Sequence, residues 1–414
     1  MATAWRTDLR QRPEPFITRV RLRNYKSIAE CDVRLGPLTV LVGPNGAGKS
    51  NFIDALAFAG EAVATTPYQA IDARGGLREI LRRVPEPTKS FSVALEVTVP
   101  WGPDPEQWAR GSYEFEVAPN EFGRQRPFEV VHEQCALRWS GQVWRFRVER
   151  GAVEDETLKT AVPAIEPDWL YLQTASVQTT FAPLFAGLRG MQFYRFDLDV
   201  LRQPHPQTVG SVLGRRGEHL GDVLGALDAD DRGYKRRIDA YLSAAVPEIE
   251  GIDRYFAGNY VTVALRARTG AGGREVQFGP EAISDGTIRA AGVLAALFQP
   301  WVLDGRVRLV GIEEPEIALH PAAAGVLFDA LTEASERVQV VATSQSPDLL
   351  DRDDFDVSTV RAVTMEHGLT IIGEVDEASR EIVAKKLYTL GELIRSNQLS
   401  PDRTRHGDAA SAEA

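Results

Sequence analysis

A chain of 414 residues with 43% apolar side chains can bury a large core, arranged as one domain of two lobes or as two closely associated domains. A formal net charge of −11 and a calculated pI near 5.2 exclude a surface that is basic throughout, so any nucleic-acid contact has to be local. Only two cysteines, Cys31 and Cys135, and six scattered histidines exclude a disulfide framework and offer no zinc-ligand spacing, which fits a reducing compartment.

Met1 to Phe16 is polar and contains arginine without an apolar signal region, and no window reaches about eighteen apolar residues, so the chain is expected to be cytoplasmic with no membrane contact. Ile17 to Leu22 and Leu38 to Val42 read as strands, the second a continuous apolar run of the kind buried in a central sheet. A helix should follow from Lys49 through Phe58. From Phe91 to Val148 the pattern changes to strict alternation, which predicts a half-buried antiparallel meander with a hairpin turn at Ser140-Gly141-Gln142. Between Gly151 and Pro280, short helical patterns at His219 to Leu227 and Tyr234 to Ala245 mix with loops, and neither a repeat nor a sustained heptad pattern occurs. A helix from Ser284 through Leu297 then leads to the strand Val307 to Ile312, a helix from Ala322, the strand Val338 to Thr343 and a hairpin near His367-Gly368. From Pro401 onward the composition predicts a disordered tail.

Gly43-Pro44-Asn45-Gly46-Ala47-Gly48-Lys49-Ser50, followed by Asn51, is a complete phosphate-binding loop set between a strand and a helix. Its glycines permit a tight turn whose backbone N–H groups converge on phosphate oxygens at the positive end of the helix. Lys49 reaches the β- and γ-phosphates of ATP, and Ser50 offers a hydroxyl to Mg²⁺. Downstream, the apolar strand of Leu309 to Ile312 ends in Glu313-Glu314-Pro315-Glu316. Alone these are surface acids; beside a phosphate loop, Glu313 is expected to hold the hydrated Mg²⁺ and Glu314 to deprotonate the attacking water, with Glu316 serving local structure or a subunit contact. Ser284-Asp285-Gly286-Thr287 opens a helix, where Ser284 is a sound N-cap under any function and also a suitable contact for a γ-phosphate. Thr343-Ser344-Gln345-Ser346-Pro347 is another buried strand running into a polar loop.

In order and spacing these four elements, together with Tyr25-Lys26-Ser27-Ile28 and Leu319-His320-Pro321, resemble the ATPase heads of the SMC/RecF-like branch of the ABC superfamily, and within it the short stand-alone group without a long coiled coil. The resemblance implies an α/β fold: a P-loop NTPase head with a mainly parallel central sheet flanked by helices, an antiparallel β-lobe and an α-rich insertion. It divides the chain into 1–60 and 281–400 as the two parts of the head, 61–150 as the β-lobe, 151–280 as a mixed insertion or α-rich subdomain and 401–414 as the tail. It further implies a head-to-tail homodimer in which Ser284, Asp285 and Gly286 of one subunit meet the γ-phosphate held by the other, with His320 near the seam. The switch histidine of that family is replaced by Gln345, which can hydrogen-bond but cannot carry a proton, and the usual aspartate is Glu313. Gln192 and Gln203 are the two candidates for the family's Q-loop glutamine.

Such heads commonly act on DNA ends, repair intermediates or invading genomes beside a nuclease, which makes DNA and a separate nuclease or effector protein the partners implied. Locally, Arg19, Arg21 and Arg23, and Arg232, Lys235, Arg236 and Arg237, could serve DNA, although solvated charged faces are the plainer reading. Trp101, Trp108, Trp139 and Trp144 could stack on bases, with lobe packing the plainer reading. No second catalytic constellation follows Pro347, so a nuclease in the same chain is not expected. Three readings stay open: an ATPase motor or switch acting on DNA, a nucleotide-gated scaffold with little hydrolysis, and a transporter subunit, the last disfavoured by the long separation of Lys49 from Ser284.

Overall fold

The computed structural model describes residues 14–83, 86–102, 107–120, 127–155, 165–210, 212–269, 274–352 and 355–402. Strands β1 (Ile17–Tyr25) and β2 (Ile28–Arg34) form a hairpin, and β3 (Leu38–Val42) leads through the glycine loop into the helix Lys49–Ala64. A meander follows of β4 (Phe91–Pro100), β5 (Trp108–Pro119), β6 (Phe128–Trp139), β7 (Gln142–Glu149) and β8 (Ala152–Asp155). Its alternating buried and exposed residues match the period of two that its sequence carries. The turn between β6 and β7 consists of Ser140 and Gly141, with φ of 48° and 79°, and Gln142 already belongs to β7. The hairpin β1–β2 does not join β3. It extends the meander into a seven-stranded antiparallel sheet of order β2-β1-β4-β5-β6-β7-β8.

The stretch from 151 to 280 mixes helices with strands. It contributes β9 (Gln192–Tyr194), β10 (His205–Pro206), β11 (Ile249–Ala257), β12 (Tyr260–Thr269) and β13 (Arg274–Phe278), besides the helices Leu198–Arg202, Leu220–Asp230 and Arg232–Ala245. β10, β12 and β11 are hydrogen-bonded in that order, with β13 also on β12, in a second antiparallel sheet. The reason is local: Tyr260-Val-Thr-Val is rich in β-branched and aromatic residues, and Gly258-Asn259 closes the β11–β12 hairpin with Gly258 at φ 64°.

The C-terminal part comprises the helix Asp285–Phe298, β14 (Leu309–Glu313), the helix Pro321–Ala334, β15 (Gln339–Ser344), β16 (Val360–Glu366) and β17 (Leu369–Glu374). These strands complete a sheet of order β17-β16-β3-β15-β14-β9, whose pairs are parallel except β16 with β17. Leu41 of β3 points into the core shared with the antiparallel lobe, whereas Leu38, Val40 and Val42 point into the core under the helix Asp285–Phe298. Burial on both faces explains the continuous apolar run, each Leu or Val contributing about 1.5–3 kcal/mol. Asp285–Leu303 is, among the described residues, the stretch long and apolar enough to span a membrane, and 78% of its window is buried inside the protein. Of the expected tail, Pro401 pairs with Val375 and Asp402 follows it; residues 403–414 lie outside the described residues.

Candidate functional site

The loop Gly43–Ser50 sits at the C-terminal end of β3, and parallel pairing brings the ends of β15 and β14 beside it, with Ser344 opposite Val42 and Glu313 opposite Thr343. Ligands of open α/β sheets bind at this edge. Gly46 and Gly48 have φ of 77° and 101°, in the left-handed region that glycine alone enters without strain. Pro44, Asn45, Gly46 and Ser50 are exposed, while Ala47 and Lys49 are buried. The Lys49 ammonium donates to the carbonyls of Gly43 at 2.7 Å and Pro44 at 2.9 Å, inside the loop that carries it. Burial pulls its pKa down, against the opposing charges of Glu314 and Glu316.

Ser50 Oγ donates to Glu313 Oε2 at 2.7 Å, so the two expected metal ligands meet from the start of one helix and the end of one strand. A hydroxyl and a carboxylate are hard oxygen donors, and with phosphate oxygens and water to complete the shell they fit a Mg²⁺ ion. Glu314 turns out of the strand at φ 46°, held by its N–H donating to the carbonyl and the hydroxyl of Thr343, both at 3.1 Å. Glu316 is 6% exposed and accepts from Ser344 Oγ at 2.6 Å and Gln345 N at 3.3 Å, so it fastens the Gln345 loop to the acidic strand end. Burial raises its pKa. Gln345 is half-buried on that loop.

Ser284 caps the helix Asp285–Phe298: its hydroxyl accepts from Thr287 N at 3.2 Å. Arg202 donates to Asp285 Oδ1 at 2.6 Å and to the Ile283 carbonyl at 2.9 Å. A side chain at Gly286 would lie 2.4 Å from the Ala318 carbonyl, so this turn packs on the segment after Glu316. The contacts of Ser284, Asp285 and Gly286 thus run to Thr287, Arg202 and Ala318, none of which belongs to the loop Gly43–Ser50. His320 is exposed on the same segment as Ala318.

The motif Tyr25-Lys26-Ser27 acquires a physical role. Tyr25 Oη and Lys26 Nζ bind Asp54 Oδ2 at 2.8 Å and 2.6 Å, and Asn51 donates to Ser27 Oγ at 2.7 Å, which fixes the helix carrying Lys49 and Ser50. Ser27 also shares a 2.6 Å hydrogen bond with Thr370 of β17. Arg289 is buried on the helix Asp285–Phe298, where burial lowers its pKa against the charges of Glu314 and Glu316. It lies five residues beyond Ser284, and a lone arginine in an apolar helical run is the signal that could have singled it out.

A family profile described as "AAA ATPase domain" matches residues 16–73, and one described as "AAA domain, putative AbiEii toxin, Type IV TA system" matches residues 168–351. The crystal structure of an SMC head bound to the C-winged helix domain of ScpA superposes with a TM-score of 0.54, covering 88% of this chain and 100% of that one at 13% identity. The chain has the fold of the SMC/RecF-like ABC-type ATPase heads. Among curated proteins, this head is 23% identical over 369 residues to the OLD nuclease of Thermus scotoductus, covering 82% of the present chain. It is 43% identical over 44 residues to the DNA replication and repair protein RecF of Corynebacterium jeikeium. The chain spans 61% of the length of the first relative and 10% of the second.

Within the head, Gln192 lies in β9 opposite Val310, well before the strand end where Glu313 sits, and Gln203 follows Arg202 on the side of the Ser284 turn. The side-chain hydrogen bond of Ser50 goes to Glu313 and not to either glutamine. Arg19, Arg21 and Arg23 are paired with Asp32, Glu96 and Glu30. Lys235 is buried between Asp239 and Asp253, and Arg237 binds Glu333. The first cluster is thus paired internally, whereas in the second Arg232 and Arg236 are exposed and donate to the backbone carbonyls of Asp228 and Arg232. Trp101 contacts Trp144 and Trp139 at ring distances of 4.7 Å and 6.1 Å, and all three pack on the lobe core. Trp108 is half-buried.

Proposed function

We propose that this head binds ATP with Mg²⁺ at Gly43–Asn51 and hydrolyses it in a head-to-tail homodimer. The observation that carries the reading is the 2.7 Å contact of Ser50 Oγ with Glu313 Oε2, which joins the phosphate loop to the acidic strand end. Lys49 leaves the Gly43 and Pro44 carbonyls for the β- and γ-phosphates. Ser50 and Glu313 hold the ion, which supplies charge neutralisation at those phosphates. Glu314 accepts the proton of the attacking water. Ser284, Asp285 and Gly286 complete the site of the partner subunit, and Gln345 orients the γ-phosphate or the water by hydrogen bonds alone. Relatives named as a nuclease and as a DNA replication and repair protein support a cytoplasmic, DNA-related role, in genome maintenance or anti-phage defence, with a separate nuclease or effector protein.

Glu314→Gln tests it. Loss of a general base should cut turnover by about 10²–10⁴-fold and leave a dimer that persists in ATP, read by phosphate release and by light scattering after size exclusion. Unchanged turnover would reject Glu314 as the base, and a monomer in saturating ATP would reject the dimer. The second reading, a nucleotide-gated scaffold with little hydrolysis, is favoured by Gln345 at the switch position. Wild-type dimerisation in ATP with turnover at background, whether or not DNA is present, would select it.

A further inference from the structure

Away from the nucleotide loop, His205, His219 and Asp222 converge although the sequence spaces them as no familiar ligand set. His205 lies in β10, which pairs with β12. His219 precedes the helix Leu220–Asp230 at φ 66°, and Asp222 stands in that helix's first turn. One potential ligand atom from each lies within 4.8 Å of the others. Asp222 Oδ2 is 3.6 Å from His205 Nδ1 and 3.8 Å from His219 Nδ1, beyond direct hydrogen bonding. Atoms sharing a tetrahedral zinc ion stand about 3.3–3.5 Å apart, given bonds of about 2.0–2.2 Å. The His219 Nδ1–Asp222 Oδ2 pair is close to that spacing.

The polar accounting points the same way. His205 Nε2 and His219 Nδ1 are buried without a hydrogen-bond partner among the described residues. Leaving such atoms unsatisfied costs about 1–3 kcal/mol each. His205 Nδ1 is 3.1 Å from the Pro206 carbonyl, the kind of outer contact that fixes the tautomer of a ligating imidazole. The Asp222 side chain is 4% exposed, and its Oδ2 accepts from Thr208 N at 2.9 Å, which aims the carboxylate. The alternative is a packed polar cluster solvated by water.

We infer that His205, His219 and Asp222 form a binding site for a zinc-class divalent cation, using one ring nitrogen from each histidine and the carboxylate. Two imidazoles and one carboxylate suit Zn²⁺ over the all-oxygen preference of Mg²⁺. Three protein ligands leave a fourth position for water or another group. The ion clamps β10 to the start of the helix Leu220–Asp230. Arg202, the brace of Asp285 and the Ile283 carbonyl, stands three residues before His205. The inference is independent of the nucleotide reading, because no residue is shared between the two sites.

The test is zinc titration of the full chain by calorimetry, with Mg²⁺ in excess to occupy oxygen-donor sites, alongside the visible spectrum of the Co²⁺-loaded chain. One Zn²⁺ per chain, a tetrahedral Co²⁺ spectrum and a Tm raised by Zn²⁺ are expected of the wild type. His205→Ala and His219→Ala should each weaken binding by more than about 100-fold, since loss of an outer-shell partner alone costs about 10–100-fold. His219, with its side chain 36% exposed, is the substitution least able to disturb folding, and the metal-free Tm of each variant checks this. No zinc bound by the wild type, or zinc bound equally well by both histidine variants, would overturn the site.

Discussion

Gly48→Ala probes how the phosphate loop is walled in. At φ 101° an L-residue costs about 1–2 kcal/mol, and the new Cβ would stand 1.9 Å from Thr370 Oγ1, 2.7 Å from its Cγ2 and 2.9 Å from its Cβ. Forcing such an overlap adds about 1–3 kcal/mol, so the substitution should destabilise the chain by about 2–5 kcal/mol in urea unfolding and weaken ATP binding. All three obstructing atoms belong to one side chain. Thr370→Ala removes the nearer two while forfeiting the 2.6 Å bond to Ser27, worth about 1 kcal/mol. The double variant should therefore be more stable than the sum of the single effects predicts, by about 1–2 kcal/mol, with the backbone cost at Gly48 remaining. Unfolding curves of the four proteins and equilibrium binding of a fluorescent ATP analogue measure this. Additivity within about 0.5 kcal/mol would refute the claim that Thr370 forms the wall.

Two further outcomes follow from buried charges. Glu133 is fully buried and accepts from Tyr113 Oη, Tyr171 N and Leu172 N, yet burial pushes its pKa up to about 7. Because the folded pKa lies above the unfolded one, its contribution is full below about pH 4.5 and is lost as the pH rises through 7, on the order of 3 kcal/mol in all. Glu133→Gln should flatten the stability profile over that window, and an unchanged slope in urea unfolding at pH 5 and pH 8 would reject the assignment. Asp54→Ala strips a partner from Lys26, Tyr25 and the Arg74 side chain, which is 6% exposed and otherwise holds Glu61. The expected cost is about 3–5 kcal/mol by denaturant unfolding, and a loss under 1 kcal/mol would show that the Tyr25-Lys26 motif does not anchor the helix.

What the sequence made legible was local. Leu38–Val42 stands out because both its faces are buried, and Ser284 declares its helix through a side chain bonded only three residues away. The pairing of Ser50 with Glu313 was legible as chemistry, since each residue type carries its role, although no spacing rule joins them. The antiparallel sheet of β10 to β13 had a readable signal in Gly258-Asn259 and the residues flanking it, which the neighbouring helical patterns obscured. That β1 joins the meander could not be read from its own residues, because alternation gives the buried face of a strand but not its neighbour. The ties of Ser27 to Asn51 and Thr370, and the meeting of His205 with Asp222, join unremarkable polar residues through the fold itself. Nothing in a linear pattern announces them.

The walls of the nucleotide loop also have a timetable. Gly43 lies under the Val363 carbonyl and Gly48 against Thr370, so two glycines near the beginning of the chain are shaped by a hairpin more than three hundred residues later. At a synthesis rate of about 5–20 residues per second, the loop leaves the ribosome roughly 15–60 seconds before Thr370 is made. During that interval its glycines have nothing to lean on. A ribosome halted before Val363 therefore displays a phosphate-loop sequence without the wall that Val363 and Thr370 supply.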